Sequence, residues 1–294
     1  MTDDIELVID AKAALGEGPL WHAQTQRLYW VDILGCALHV YDPRAQTDRC
    51  LQVGQPVGTV VPRRSGGVLL ALQHGFASLD LDTEALTLLH DPEAHLPGNR
   101  FNDGKCDPAG RFWAGTMGLA DPTPRGLGSL YCLDAQQRVT RRLSGVTCSN
   151  GLAWSRDLTT MYYVDSGAQT VDAFDYDHAT GEIGNRRAVI TLPDDYGLPD
   201  GMTLDADGML WVAGWGRHRL SRWNPADGAL LRTYELPVSK VTACAFGGPH
   251  LDALYITSAR TGLDAAALAR EPLAGGLFVV YPGVSGLPAF EYAG

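Results

Sequence analysis

The sequence predicts an all-β fold, a six-bladed β-propeller of four-stranded antiparallel blades around a central channel, with residues 1–294 as one domain. Three observations lead there. A series of short apolar strands recurs six times: RLYWVD (27–32), GGVLLAL (66–72), GRFWAGTM (110–117), TMYYVDS (160–166), GMLWVAGWG (208–216) and ALYITSA (253–259). Their first residues lie 39 to 50 positions apart, close to the roughly 40–50 residues of a propeller blade. A second series keeps register with the first: ALHVYDP (37–43), FASLDLD (76–82), GSLYCLD (128–134), VDAFDYD (171–177), RLSRWNP (219–225) and GGLFVVYP (275–282). The third observation is compositional. Glycine is abundant, at 34 residues, and no helical periodicity of useful length interrupts the strands.

Each repeat is expected to run from an inner to an outer strand. The innermost opens with a polar residue beside glycine in GEGPLWH (16–22), FNDGKCD (101–107), SNGLAWS (149–155) and LPDGMTLD (198–205). The two apolar series follow, and most members of the second end in Asp-x or Asn-Pro turn chemistry. The outermost strand is more polar, as in RVTRRLSG (138–145), NRRAVITLP (185–193) and LLRTYELP (230–237). GLDAAALAR (262–270) reads as one helical excursion in the last blade. The N-terminal IELVI (5–9) is expected to complete that blade, closing the ring without an open sheet edge.

Composition narrows the function classes. A formal net charge of −11 argues against nucleic acid or an anionic membrane as partner. No apolar stretch reaches 18 residues and no basic segment leads an apolar run, so a cytoplasmic protein is expected. Six cysteines without a CxxC spacing read as buried free thiols in a reducing compartment. The eight histidines show neither HxxxH nor HExxH spacing, and GxSxG, Walker A and GxGxxG signatures are missing. Serine-hydrolase and nucleotide-dependent chemistry are therefore disfavoured. Nothing in the sequence sets an oligomeric state.

Inner strands of a propeller run side by side around the axis, so their leading residues should converge at one end of the channel. Glu17, Asn102, Asn150 and Asp200 come from blades 1, 3, 4 and 5, whereas blade 2 (near Gly58) and blade 6 (near Thr242) offer no carboxylate. Asn-Gly or Asp-Gly alone is most often a turn. The shared register in several blades favours a site instead. Carboxylates and amide oxygens facing one another repel unless a cation sits between them, and an all-oxygen set suits Ca²⁺, Mg²⁺ or Mn²⁺. Asp103 reads as a turn cap or as support for Asn102. Trp30, Trp113, Trp154 and Trp211 read as core between blades, while Trp21, His22 and Trp215 are placed near strand ends as pocket walls.

GEGPLWH, NRFNDGKCDPAGRFWAGTM, SNGLAWS, TVDAFDYDHATG, LPDGMTLDADGMLWVA, CAFGGPHLDALYITSAR and PLAGGLFV together resemble the gluconolactonase/regucalcin family, the senescence-marker-protein group, over nearly the whole chain. The resemblance implies a six-bladed propeller with one divalent metal ion at the channel mouth, opening sugar lactones with water. Ca²⁺ leads the candidates, with Mg²⁺, Mn²⁺, Zn²⁺ and Fe²⁺ behind it. By motif, Glu17, Asn150 and Asp200 match the family's metal ligands, Asp200 also its proton donor and acceptor, and Arg100 and Asn102 its substrate contacts. The chain departs from the pattern after AGTM, where GLADPTPRGLGSLY (118–131) replaces a longer loop bearing a substrate-contacting Glu in some animal members. The expected partner is a small sugar lactone. A phosphotriesterase-like hydrolase and a non-catalytic calcium-binding propeller are the alternatives.

Overall fold

Most strands of this chain carry apolar side chains on both faces, so a single sheet cannot bury its own surface, and six sheets packed face to face in a ring can. A computed structural model describes residues 5–294 and shows six four-stranded sheets. After β1 (Glu6–Ile9) comes blade 1, with β2 (Gly16–His22), β3 (Arg27–Asp32), β4 (Ala37–Asp42) and β5 (Thr47–Gln52). Blade 2 holds β6 (Val57–Pro62), β7 (Val68–Leu72), β8 (Gly75–Leu79) and β9 (Leu86–His90). Blade 3 holds β10 (Asn99–Cys106), β11 (Phe112–Gly118), β12 (Gly128–Leu133) and β13 (Val139–Val146). In blade 4 these are β14 (Ser149–Trp154), β15 (Thr160–Asp165), β16 (Thr170–Tyr176) and β17 (Ile183–Thr191). Blade 5 comprises β18 (Leu198–Leu204), β19 (Leu210–Trp215), β20 (Arg219–Trp223) and β21 (Leu230–Glu235). Blade 6 comprises β22 (Val241–Gly247), β23 (Ala253–Ser258), the short α1 (Ala265–Arg270) and β24 (Leu277–Val280), and its outer strand is β1. The ring therefore closes as the sequence predicts.

Strands β2, β6, β10, β14, β18 and β22 touch in succession around the axis. They are buried almost throughout, while outer strands such as β9 and β17 are exposed. Trp30, Trp113 and Trp211 are fully enclosed, and Trp113 meets Trp154 of the next blade edge-to-face at 6.2 Å between centroids. These tryptophans are core between blades, as expected.

Two inter-strand turns share one device. In CDPAGRFW, Asp107 accepts bonds from the Ala109 and Arg111 amides, from Arg111 Nε at 2.6 Å and from Trp113 Nε1 at 2.9 Å. In LDADGMLW, Asp205 does the same for Asp207 N, Met209 N, Arg222 Nε (2.7 Å) and Trp211 Nε1 (2.9 Å). A buried carboxylate is tolerated there because its lone pairs are met by a cation and several N–H groups.

These turns lie at the end of the channel opposite the polar cluster, and the C-terminal segment crosses that end. Asp205 and Gly286 form a β-bridge, as do Arg63 and Tyr292, and Ala293 N donates to Gly110 O. Leu287, Pro288 and Phe290 then face Leu20, Leu152 and Phe246, closing the channel floor with apolar groups. Trp21 and His22 sit at this floor, not at the pocket wall. Trp21 stacks on Tyr255 and His22 contacts Glu291. The reason is strand length: at about 3.3 Å per residue, four or five positions beyond Glu17 carry β2 to the far end. All six cysteines are free, but only Cys106, Cys132 and Cys244 are buried; Cys36 and Cys148 are half-buried and Cys50 is exposed. This corrects the expectation of uniformly buried thiols.

Replacing Asp205 with Ala should cost about 3 kcal/mol in urea unfolding, because Arg222 and the Trp211 indole lose their shared acceptor.

Candidate functional site

The opening polar residues do not precede the inner strands; they stand within them, at a recurring β-bulge. In β10, β14, β18 and β22 the pairs Asn102–Asp103, Asn150–Gly151, Asp200–Gly201 and Thr242–Ala243 fall where the ladder register slips. The register also slips after Glu17 in β2 and at Gly58 in β6. A bulge twists its strand and re-aims the side chain, here so that side chains of adjacent inner strands meet, as Asn102 does Asn150. The glycines are not turn formers either. A Cβ on Gly151 would lie 2.5 Å from Met202 Cβ, and one on Gly201 would lie 2.3 Å from Ala243 Cβ, so glycine lets adjacent inner strands touch.

Two aspartates fix the lead-in to this ring. Asp32 at the end of β3 accepts from the Ala14, Leu15 and Gly35 amides. Asp165 at the end of β15 accepts from Thr147, Cys148 and Gly167 N. Each clamp holds an amide two residues before a site side chain, Glu17 or Asn150.

The two asparagines are oriented by groups that have only one option. Arg100 Nη1 can only donate, and it reaches Phe101 O at 2.9 Å and Asn102 Oδ1 at 2.7 Å. Asn102 Nδ2 then donates to Ser149 O at 2.8 Å and to Asn150 Oδ1 at 3.2 Å. Asn150 turns its own Nδ2 to Ser166 Oγ at 2.8 Å, and Ser166 passes its hydrogen to Pro199 O at 2.7 Å. Arg100, Asn102 and Asn150 are thus brought together in one directional chain running from blade 3 to blade 5. The Asn150 oxygen keeps a lone pair free, since a carbonyl has two.

Glu17 and Asp200 join them electrostatically. Both are buried, at 4% and 5% exposed. Burial first, then the nearby Asp103 carboxylate, pushes the Glu17 carboxyl up to about 8. Asp200 is raised well above its ordinary range by burial, then by Glu17 and Asp103, with Arg100 a weaker counterweight. The buried ion pairs lie elsewhere, at Asp107–Arg111 and Asp205–Arg222. Asp103 is therefore more than a turn cap. Its carboxyl is raised chiefly by burial and is offset by half-buried Lys105, whose Nζ donates to Met202 O at 2.8 Å deeper in the channel. Cys148 Sγ lies 3.5 Å from Met117 Sδ, and burial together with Asp200 holds the thiol protonated, up to about 12.

Sequence reasoning passed over Ser166, Lys105 and Cys148. The signal for Ser166 was available: the Asp-Ser of YYVDS repeats the register of the Asp-Ile in YWVDI. Trp215 does reach this end, at the close of β19, where Lys240 Nζ lies 4.7 Å over its ring.

Whether the residues suit a divalent cation is decided by the donors. Among the described residues no three His, Cys, Asp or Glu side chains converge to chelate an ion unaided. The set here is two carboxylates and an amide oxygen, all hard donors, and the carboxylates lack a paired cation. That chemistry fits Ca²⁺, Mg²⁺ or Mn²⁺ with water completing the shell.

Residues 15–260 match the family model described as SMP-30/Gluconolactonase/LRE-like region. The regucalcin of Oryctolagus cuniculus is 41% identical over 99% of this chain and 98% of its own length. Among solved structures, a luciferin-regenerating enzyme superposes with a TM-score of 0.93 at 36% identity, covering 99% of both chains. The calcium-binding protein regucalcin of Agrobacterium tumefaciens superposes with a TM-score of 0.93 at 31% identity, covering 97% of this chain and 96% of its own.

The raised carboxyls have a consequence for stability. Glu17 ionises near 8 in the folded chain against an ordinary 4.5, so the folded state holds a proton that the unfolded state releases between those limits. In chelator, stability should fall by a few kcal/mol as pH rises from about 5 to about 8. Chemical unfolding across that range should show the decline, a flatter profile for Glu17→Gln, and recovery at pH 8 on adding Ca²⁺.

Proposed function

The chain belongs to the SMP-30/gluconolactonase/LRE-like family, and from that premise we propose that it is a divalent-metal-dependent hydrolase opening sugar lactones to aldonic acids. The observation that supports this reading best is the pair of buried carboxyls, Glu17 and Asp200, both raised by burial and neighbouring acids and neither in an ion pair, in the ring that also holds the Asn150 amide. Glu17, Asn150 and Asp200 would hold the cation, Ca²⁺ being the best match to three oxygen donors. When bound, the cation polarises an ester carbonyl and acidifies water at the site.

The chain's own groups do the rest. Arg100 keeps its charge and offers donors to the lactone carbonyl or a sugar hydroxyl. Asn102, bound between Arg100 and Asn150, keeps that guanidinium in register with the ion-binding oxygen. An Asp200 carboxylate oxygen takes a proton from water as the water oxygen bonds to the lactone carbon. The bond from that carbon to the ring oxygen breaks, and Asp200 returns the proton to the ring oxygen, leaving a hydroxy acid. The apolar floor made by Leu287, Pro288 and Phe290 limits water to the site end. A calcium-binding protein without turnover is the second reading, favoured by the calcium-binding regucalcin neighbour.

Acid release from glucono-, galactono-, xylono- and arabinonolactones, corrected for spontaneous opening, separates the two. Chelator-sensitive turnover is expected, and ion binding without turnover supports the second reading. Asp200→Asn should lower kcat by about 10²–10⁴-fold while retaining measurable ion binding. Glu17→Ala should raise the cation's Kd before it affects kcat at saturating cation. Near-parental kinetics for Asp200→Asn would remove it from the proton-transfer role.

A further inference from the structure

We infer that Ser166 is a positioning residue of the ion site: it locks the Asn150 amide with its oxygen toward the axis and ties that amide to the blade that supplies Asp200. An asparagine can present either its oxygen or its NH₂ to a cation, and only the oxygen is a ligand. The choice is made by what the other end of the amide touches. Ser166 is buried, and its hydroxyl hydrogen is committed to Pro199 O at 2.7 Å, a carbonyl that can only accept. Toward Asn150, at 2.8 Å, the hydroxyl can therefore offer only a lone pair, and the amide must answer with Nδ2. Asn102 Nδ2, 3.2 Å from Asn150 Oδ1, enforces the same orientation from the other side.

Comparison within the ring supports the assignment. Asp32 and Asp165 make equivalent clamps at the ends of β3 and β15. The next residue is Ile33 in blade 1 and Ser166 in blade 4, both buried. Blade 1 supplies a carboxylate, whose two oxygens are equivalent, and needs no hydroxyl to orient it. Blade 4 supplies an amide, whose ends differ, and the hydroxyl is there. Ser166 also contacts the residue before Asp200, so the ion-binding side chains of blades 4 and 5 are coupled through one hydroxyl.

The inference rests on the ion-binding reading, and the test separates the two. Calorimetric Ca²⁺ titration should give Ser166→Ala a Kd raised by about 10–100-fold, with Ser166→Thr near the parent because the hydroxyl is retained. Unfolding in chelator should cost Ser166→Ala no more than about 1–3 kcal/mol, for the two buried groups left without their partner, and should remain one cooperative transition, showing that the fold is intact. In the Asn150→Asp background no amide remains to be oriented, so adding Ser166→Ala should change the Kd by less than about twofold, a loss of coupling that general loosening would not produce. A parent that binds Ca²⁺ while Ser166→Ala matches it, or an equal loss in both backgrounds, would overturn the inference alone. A parent that binds no divalent cation would overturn the ion-binding reading and this inference with it.

Discussion

Two carboxylates buried within each other's field are the constraint on which this molecule turns. Water would screen Glu17 and Asp200 if they were exposed, but the inner strands exclude it, and like charges in such a medium hold their protons or take a counter-ion. Arg100 offsets them only weakly, and it forms no ion pair with either, its Nη1 donating instead to Asn102 and the Phe101 carbonyl. Asp107 and Asp205, buried at the other end, each bind an arginine, an indole and turn amides. The contrast identifies the site. Among the described residues the fold gives Asp107 and Asp205 an arginine each and leaves Glu17, Asp103 and Asp200 without an ion pair at one end of the channel.

The ring makes that arrangement affordable. Each inner strand contributes one bulge, and the glycines at Gly151 and Gly201 let neighbouring bulges touch, so residues nearly 50 positions apart in sequence share a point in space. Only blades 1, 3, 4 and 5 place a polar acid or amide there, and Gly58 and Thr242 fill the remaining positions. The cluster is one-sided as a result. At the other end the C-terminal segment lines the channel floor with apolar groups, so the polar cluster has a counterpart of opposite character.

Much of this was legible in the sequence because a repeat carries its own register. Six copies of two apolar strand patterns gave the blade count, and the common offset of Glu17, Asn102, Asn150 and Asp200 gave their convergence. The X-Gly pairs were legible as positions but not as physics: their glycines serve strand contact inside a bulge, which only the register of neighbouring blades reveals. Trp21 and His22 were misplaced because closeness in sequence to Glu17 means little along an extended strand. Lys105 and the C-terminal floor depend on contacts between blades or across the channel, and no local pattern encodes those; Ser166 was legible as a register position after Asp165, but its bond to Pro199 of the next blade was not. Asp103 was read locally, beside Asn102, when its burial with Glu17 and Asp200 is what matters.

Anomalous diffraction from crystals grown with Mn²⁺, collected at its absorption edge and repeated with Ca²⁺, locates any ion held between these carboxylates. One peak is expected on the channel axis within about 2.0–2.6 Å of oxygens from Glu17, Asn150 and Asp200, with water filling the remaining positions. A channel mouth without a peak at saturating cation, or an ion bound elsewhere with these three side chains still turned toward one another, would contradict it.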